Sequence, residues 1–120
     1  MTDNNCCCSS VVGIFPCSGG SNVGQLANQA AIEMTKNGKG NMMCTVGIGG
    51  RIAGLMKSAE GADEVVAIDG CPLNCAKKTL ENAGIDVSKH IIITELGIKK
   101  NKDLDLKQEQ VNEVLEKINF

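Results

Sequence analysis

A three-layer α/β sandwich around a parallel four-stranded sheet is the fold this sequence predicts, on three observations. Four short apolar runs recur along the chain, they are apolar at successive rather than alternate positions, and stretches of helical periodicity separate them. Strands covered by helices on both faces read this way, because neither face meets water. The runs are residues 11–15, 42–46, 65–68 and 91–94.

Between the first two runs, Val23, Leu26, Ala27, Ala30, Ala31 and Met34 share one helical face, with a cap-like start at Asn22 and Gln25 and a stop at Gly38. Ile52, Leu55, Met56 and Ala59 mark a second helix closed by Gly61. A third is expected to begin at Pro72, turn Leu73, Ala76, Leu80 and Ala83 inward and end at Gly84. After a basic loop, 99–102, Asp105 and Gln108 open a last helix that points Val111, Val114, Leu115 and Ile118 at the core. The order βαβαβαβα, joined by right-handed crossovers, gives a Rossmann-like layout.

At 120 residues the chain has room for one core, assigned to residues 11–120. Residues 1–10, which include Cys6, Cys7 and Cys8, are expected to form a disordered arm. A net charge of −2 gives no electrostatic reason for a nucleic-acid or membrane partner. With two Phe and no Trp or Tyr, the chain also lacks the aromatic platforms on which single strands stack. The opening Met-Thr-Asp-Asn-Asn has no basic or apolar leader, so a cytoplasmic, reducing location is expected, where clustered cysteines signal metal or redox chemistry. The odd count of seven cysteines also argues against a simple disulfide framework.

Sites in parallel sheets form beyond the carboxyl ends of the strands. Cys17 directly follows the first run, Cys71 lies just past the third, and Cys75 falls one helical turn later. Cys44 sits within the second run, below the rim, and His90 is expected at the opposite rim. With Pro72 in the first helical position, Cys71 becomes the expected N-cap, so that helix N–H groups favour thiolates at Cys71 and Cys75. Cys75 points away from the apolar stripe of its helix, towards Lys78, and Lys77 and Lys78 either balance thiolate charge or form an ordinary solvated pair. The glycine loops 17–22 and 47–51 belong to the same rim and can nest an anion or wrap a metal.

Several familiar motifs fail. Val23 stands where a phosphatase loop after Cys17 needs Arg, three residues rather than two separate Cys71 from Cys75, and Lys78 replaces a third cluster cysteine. Ile52 occupies the third glycine position of a dinucleotide loop beginning at Gly47, and neither a Walker A motif nor a Ser–His–Asp set is present.

The segments FPCSGGSNVGQLANQA, CTVGIGGRIAG and AIDGCPLNCAKKTLENAGI resemble the DGC-domain family, named for its Asp-Gly-Cys motif. The resemblance implies zinc held by Cys17, Cys44, Cys71 and Cys75, and Cys44 joins the set chiefly on this ground. The expected function is therefore a zinc-binding domain with a four-cysteine thiolate site, iron–sulfur being less favoured. The alternative is a thiol protein handling electrons, sulfur or selenium through the same cysteines, with a protein partner or a small thiol or sulfur substrate. An anion- or nucleotide-binding module using the glycine loops and Arg51 is the third reading. Sequence does not decide whether the chain is an enzyme.

Overall fold

The structure, a computed structural model, describes residues 10–118. The expected arm with Cys6, Cys7 and Cys8 lies outside the described residues, apart from Ser10 at its end. The strands are β1 (Val12–Pro16), β2 (Asn41–Met42), β3 (Glu64–Asp69) and β4 (Lys89–Ile92), and the helices are α1 (Asn22–Lys36), α2 (Thr45–Gly49), α3 (Ala53–Glu60), α4 (Cys75–Asn82) and α5 (Gln108–Lys117). All strand pairs are parallel, in the order β2-β1-β3-β4. Among the described residues no helix is long and apolar enough to cross a membrane.

Successive side chains of the central strands enter two separate cores, which is why the apolar runs show no alternation. Ile14, Val66 and Ile68 pack with Val23, Leu26, Ala30, Met34, Val111 and Val114 from α1 and α5. Phe15, Val65 and Ala67 face the other way, against Ile48, Ala59, Ala76 and Leu80 from α2, α3 and α4. Helix α1 carries the expected face; its N-cap is Ser21, not Asn22, and the Ser21 hydroxyl accepts from Gly24 N–H at 3.1 Å. The helix ends as expected, with Gly38 at φ 76° just past the C-cap.

Other expectations change as well: α5 opens at Gln108 with Lys107 as its N-cap, not at Asp105, and Ile52 is the exposed N-cap of α3. The second run does not continue as a strand to residue 46: β2 stops at Met42 and Cys44 becomes the N-cap of α2. Its apolar residues do not serve two buried faces, since Val46 is 87 % exposed and it is Ile48, further on, that enters the core. Helix α4 begins at Cys75 rather than Pro72, so Pro72 and Leu73 form a turn and Leu73 is exposed. Strand β4 spans 89–92 and gives way to a 3₁₀ turn at Ile93–Leu96.

Two glycines permit the contact that joins the layers at the rim. A Cβ on Gly70 would come within 2.7 Å of Gly24 N and the Val23 carbonyl carbon, and a Cβ on Gly24 within 2.6 Å of the Gly19 carbonyl oxygen. The loop after β1, the start of α1 and the loop after β3 thus touch backbone to backbone. Gly70→Ala is expected to lower stability by about 3 kcal/mol in urea denaturation, because rigid backbone cannot yield as a side chain can. Gly54→Ala, in α3 with nothing within 4 Å of the added carbon, should instead raise stability by roughly 0.5–1 kcal/mol.

Candidate functional site

The site lies where the loops after β1 and β3 diverge: α1 leaves β1 for one face of the sheet and α4 leaves β3 for the other. In an open parallel sheet this divergence creates a crevice at the carboxyl ends of the strands. Cys17 N–H donates to the Ile68 carbonyl at 2.8 Å, tying the end of β1 to the end of β3. Cys17 is half-buried, in contact with both cores.

Asp69 organises the β3 side. Its side chain is 1 % exposed, and its carboxylate accepts the N–H groups of Ala76 at 2.7 Å and Lys77 at 3.2 Å. A carboxylate bonded to the first turn of a helix satisfies orphan donors and meets the positive end of its dipole. Asp69 therefore fixes where α4 starts, and this displaces the start expected at Pro72. The helix N-terminus expected to favour thiolates is already occupied by a carboxylate, and Cys71 lies before the true N-cap, Asn74. Asn74 is left-handed at φ 59°, a conformation that a short polar residue tolerates. Its Oδ1 is buried with no hydrogen-bond partner.

His90 was expected at the opposite rim, ahead of the fourth strand. It lies within β4, and its Nε2 meets Asp69 Oδ2 at 2.8 Å. The pairing of Ala67 with His90 sets the imidazole beside β3, from where it reaches the carboxylate at the strand end. Its role is to brace Asp69.

The four rim cysteines line two adjoining cavities. A groove of about 890 Å³ is walled by Cys17, Cys44, Cys75, Met42, Met43 and Val46. A smaller cavity of about 180 Å³ is lined by Cys17, Cys71, Cys75, Asp69 and Lys100. Cys17 and Cys75 belong to both. Cys44 and Cys75 are exposed, Cys17 and Cys71 partly buried, and all four are free thiols. As the N-cap of α2, Cys44 stands at the rim and not below it within a strand. Thr45 secures this corner by donating its hydroxyl to the Pro16 carbonyl at 2.9 Å.

Among the described residues, no three His, Cys, Asp or Glu side chains are gathered as a preformed metal cluster. The donor chemistry nevertheless fits a thiophilic ion: the four cysteines of one rim are free thiols, two of them exposed. Burial pushes the Cys17 thiol above its ordinary value; Asp69 and Cys75 add to the shift, while N–H groups of Gly19 and Gly70 oppose it.

The expected cations are placed differently. Lys77 Nζ lies 3.9 Å from Glu81, and Lys78 is exposed. It is Lys100, from the basic loop read only as a connector, that donates to Cys71 Sγ at 3.6 Å. Arg51 binds main chain, donating to the carbonyls of Ile48 at 2.8 Å and Asn82 at 2.9 Å. The guanidinium thereby ties the end of α2 to the end of α4.

Thiols on the loops after three parallel strands, arranged around an Asp-Gly-Cys turn, define a cysteine-centred α/β domain. In comparison with known proteins the DGC domain model matches residues 13–118, and the chain belongs to this family. It is 37 % identical over 87 residues to the anaerobic and virulence modulator AnvM of Pseudomonas aeruginosa, a match covering 72 % of this chain and 66 % of that protein. The match thus spans just under two thirds of the relative's length. No solved structure matches the chain.

The raised Cys17 value has a consequence for folding. An unfolded chain loses this proton near the ordinary thiol value of 9.0 while the folded chain retains it, so stability is intact below that pH and falls as pH rises through it. In metal-free protein under reducing conditions, denaturation midpoints from pH 8 to pH 10 should decline more steeply for the wild type than for Cys17→Ser. Parallel declines would contradict the assignment.

Proposed function

We propose that this chain is a zinc-binding domain whose ligands are Cys17, Cys44, Cys71 and Cys75. The observation that supports the reading is that two cavities share Cys17 and Cys75, the larger also lined by Cys44 and the smaller by Cys71. Four thiolates suit zinc, which takes a closed tetrahedral set of soft ligands in structural sites and has no redox chemistry of its own. Because no cluster is preformed among the described residues, loading requires the exposed Cys44 and Cys75 to turn inward, so binding and local ordering are coupled. The ion would hold the thiolates deprotonated and lock the three rim loops together. Iron–sulfur ligation by the same residues is less favoured.

A second reading, thiol chemistry on electrons, sulfur or selenium, has its own support. Cys44 and Cys75 are exposed on a large groove, and a cation lies against Cys71. On either reading the expected partner is a protein or a small thiol or sulfur compound, in a reducing cytoplasm. The related modulator's name is compatible with a regulatory role, in which zinc holds the thiols until oxidation releases them.

Metal analysis of protein purified without oxygen separates the readings. Zinc binding predicts one equivalent of zinc, loss of at least tenfold in affinity in Cys75→Ser, and protection of all four thiols from alkylation when loaded. Less than a tenth of an equivalent of any metal, together with a reversible disulfide between Cys71 and another rim cysteine, would favour the thiol reading instead.

A further inference from the structure

Asn22 makes the longest-range side-chain contacts of the rim. It is 3 % exposed and sits at the first position of α1. Its Nδ2 donates to the Lys99 carbonyl at 2.8 Å, and its Oδ1 accepts from Asn101 N–H at 2.6 Å. Its own N–H donates to the Asn101 carbonyl at 3.1 Å. One buried amide thus grips the main chain on both sides of Lys100, across 77 to 79 positions of sequence. Burying a polar side chain is costly unless its bonding is satisfied, and here both amide atoms of Asn22 are satisfied by the main chain of this loop. Asp103 and Asp105 continue the loop as local turns, with Asp103 N–H donating to Asn101 Oδ1 and Asp105 N–H to Asp103 Oδ1.

The latch has a directional result. Lys100, held between the two gripped residues, donates from Nζ to Cys71 Sγ and lines the smaller cavity. The only other charged residue lining that cavity, among the described residues, is Asp69, whose carboxylate is already directed to α4 and His90. The large groove on the other side of Cys17 and Cys75 has no charged lining residue among those described. The two mouths of the site therefore differ in electrostatic character, and the cationic one opens on Cys71.

We propose that Lys100 is a specificity-determining residue of the thiol site, positioned by the Asn22 latch, and that it directs small anionic thiol-reactive compounds to Cys71. The inference rests on Cys71 being a working thiol of the site, but not on which metal the site holds. A lone exposed lysine would present its charge to no particular sulfur. The grip on both neighbouring residues is what assigns this charge to one. A cation beside the reacting sulfur favours an anionic reagent over a neutral one by an amount that salt should reduce.

The test uses full-length, metal-free, reduced protein and two aromatic disulfides, the dianionic dithiobis(nitrobenzoate) and the uncharged dithiodipyridine. In each reaction the Cys71 thiol gives up its proton and its sulfur forms a disulfide to one half of the reagent as the reagent's sulfur–sulfur bond breaks; the other half leaves as a thiolate, the proton passing to solvent, or as a thione that takes the proton on its ring nitrogen. Modification at Cys71 is followed by peptide mass spectrometry, and the readout is the ratio of anionic to neutral rates. Lys100→Gln should lower this ratio by about threefold or more at low salt, Lys100→Arg should restore it, and high salt should bring the wild type down to the glutamine variant. Lys102→Gln, an equal change of net charge in the same loop, should leave it unchanged. Asn22→Ala should lower it as Lys100→Gln does, with Lys100→Gln covering the case in which the buried substitution unfolds the protein. A ratio unaffected by Lys100→Gln, or lowered equally by Lys102→Gln, overturns the proposal. A Cys71 that neither reagent modifies overturns both it and the reading of Cys71 as a working thiol, whereas failure to bind zinc leaves it standing.

Discussion

The carboxylate of Asp69 is the point on which the rest of the site depends. It is buried at the end of a central strand, accepts two main-chain N–H groups of α4 and is braced by His90. Hydrogen bonds to a charged acceptor are each worth roughly 1.5–3 kcal/mol, and leaving such donors unpaired in a buried position costs a similar amount. That strength sets the helix start at Cys75 and makes residues 71–74 a turn. The turn carries visible cost, a left-handed Asn74 with an unpartnered Oδ1, which the Asp69 bonds offset. In return Cys71, partly buried against the core, and the exposed Cys75 both line the smaller cavity.

The Asp-Gly-Cys motif acquires a physical meaning residue by residue. Asp69 caps the helix on one face of the sheet. Gly70 lets the start of the helix on the other face approach its backbone, as no larger residue could. Cys71 presents its sulfur at the junction. Three consecutive residues therefore join both layers of helices to the strand ends, and the thiol is placed by the same turn that closes the fold. A chain so short of aromatic anchors gains much of its order at this corner from main-chain contact and hydrogen bonding, not from large side chains.

The layer architecture was legible because it is written in periodicity: doubly buried strands and a one-faced α1 leave patterns that only packing can produce. The Cys44 corner was harder to read. Met42 to Val46 is apolar in composition, yet Val46 faces water and the chain turns into α2, a choice made by the tertiary bonds of Thr45 to Pro16 and by burial of Ile48. The start of α4 at Cys75 has a related reason, since proline preference at the first helical turn is weak beside a buried carboxylate. The roles of His90 and Lys100 lie beyond local pattern because their partners are 21 and 29 residues away. The one available signal for Lys100 was the basic loop itself, whose contacts no local pattern can reveal.

What unites these observations is the claim that four cysteines from three loops converge on one thiolate centre. X-ray absorption at the zinc edge, on protein loaded with one equivalent under anaerobic conditions, tests it most directly. The account predicts a single shell of four sulfur neighbours at about 2.3 Å, falling to three in Cys44→Ser. A shell dominated by nitrogen or oxygen, or one unchanged when Cys44 is replaced, would contradict it.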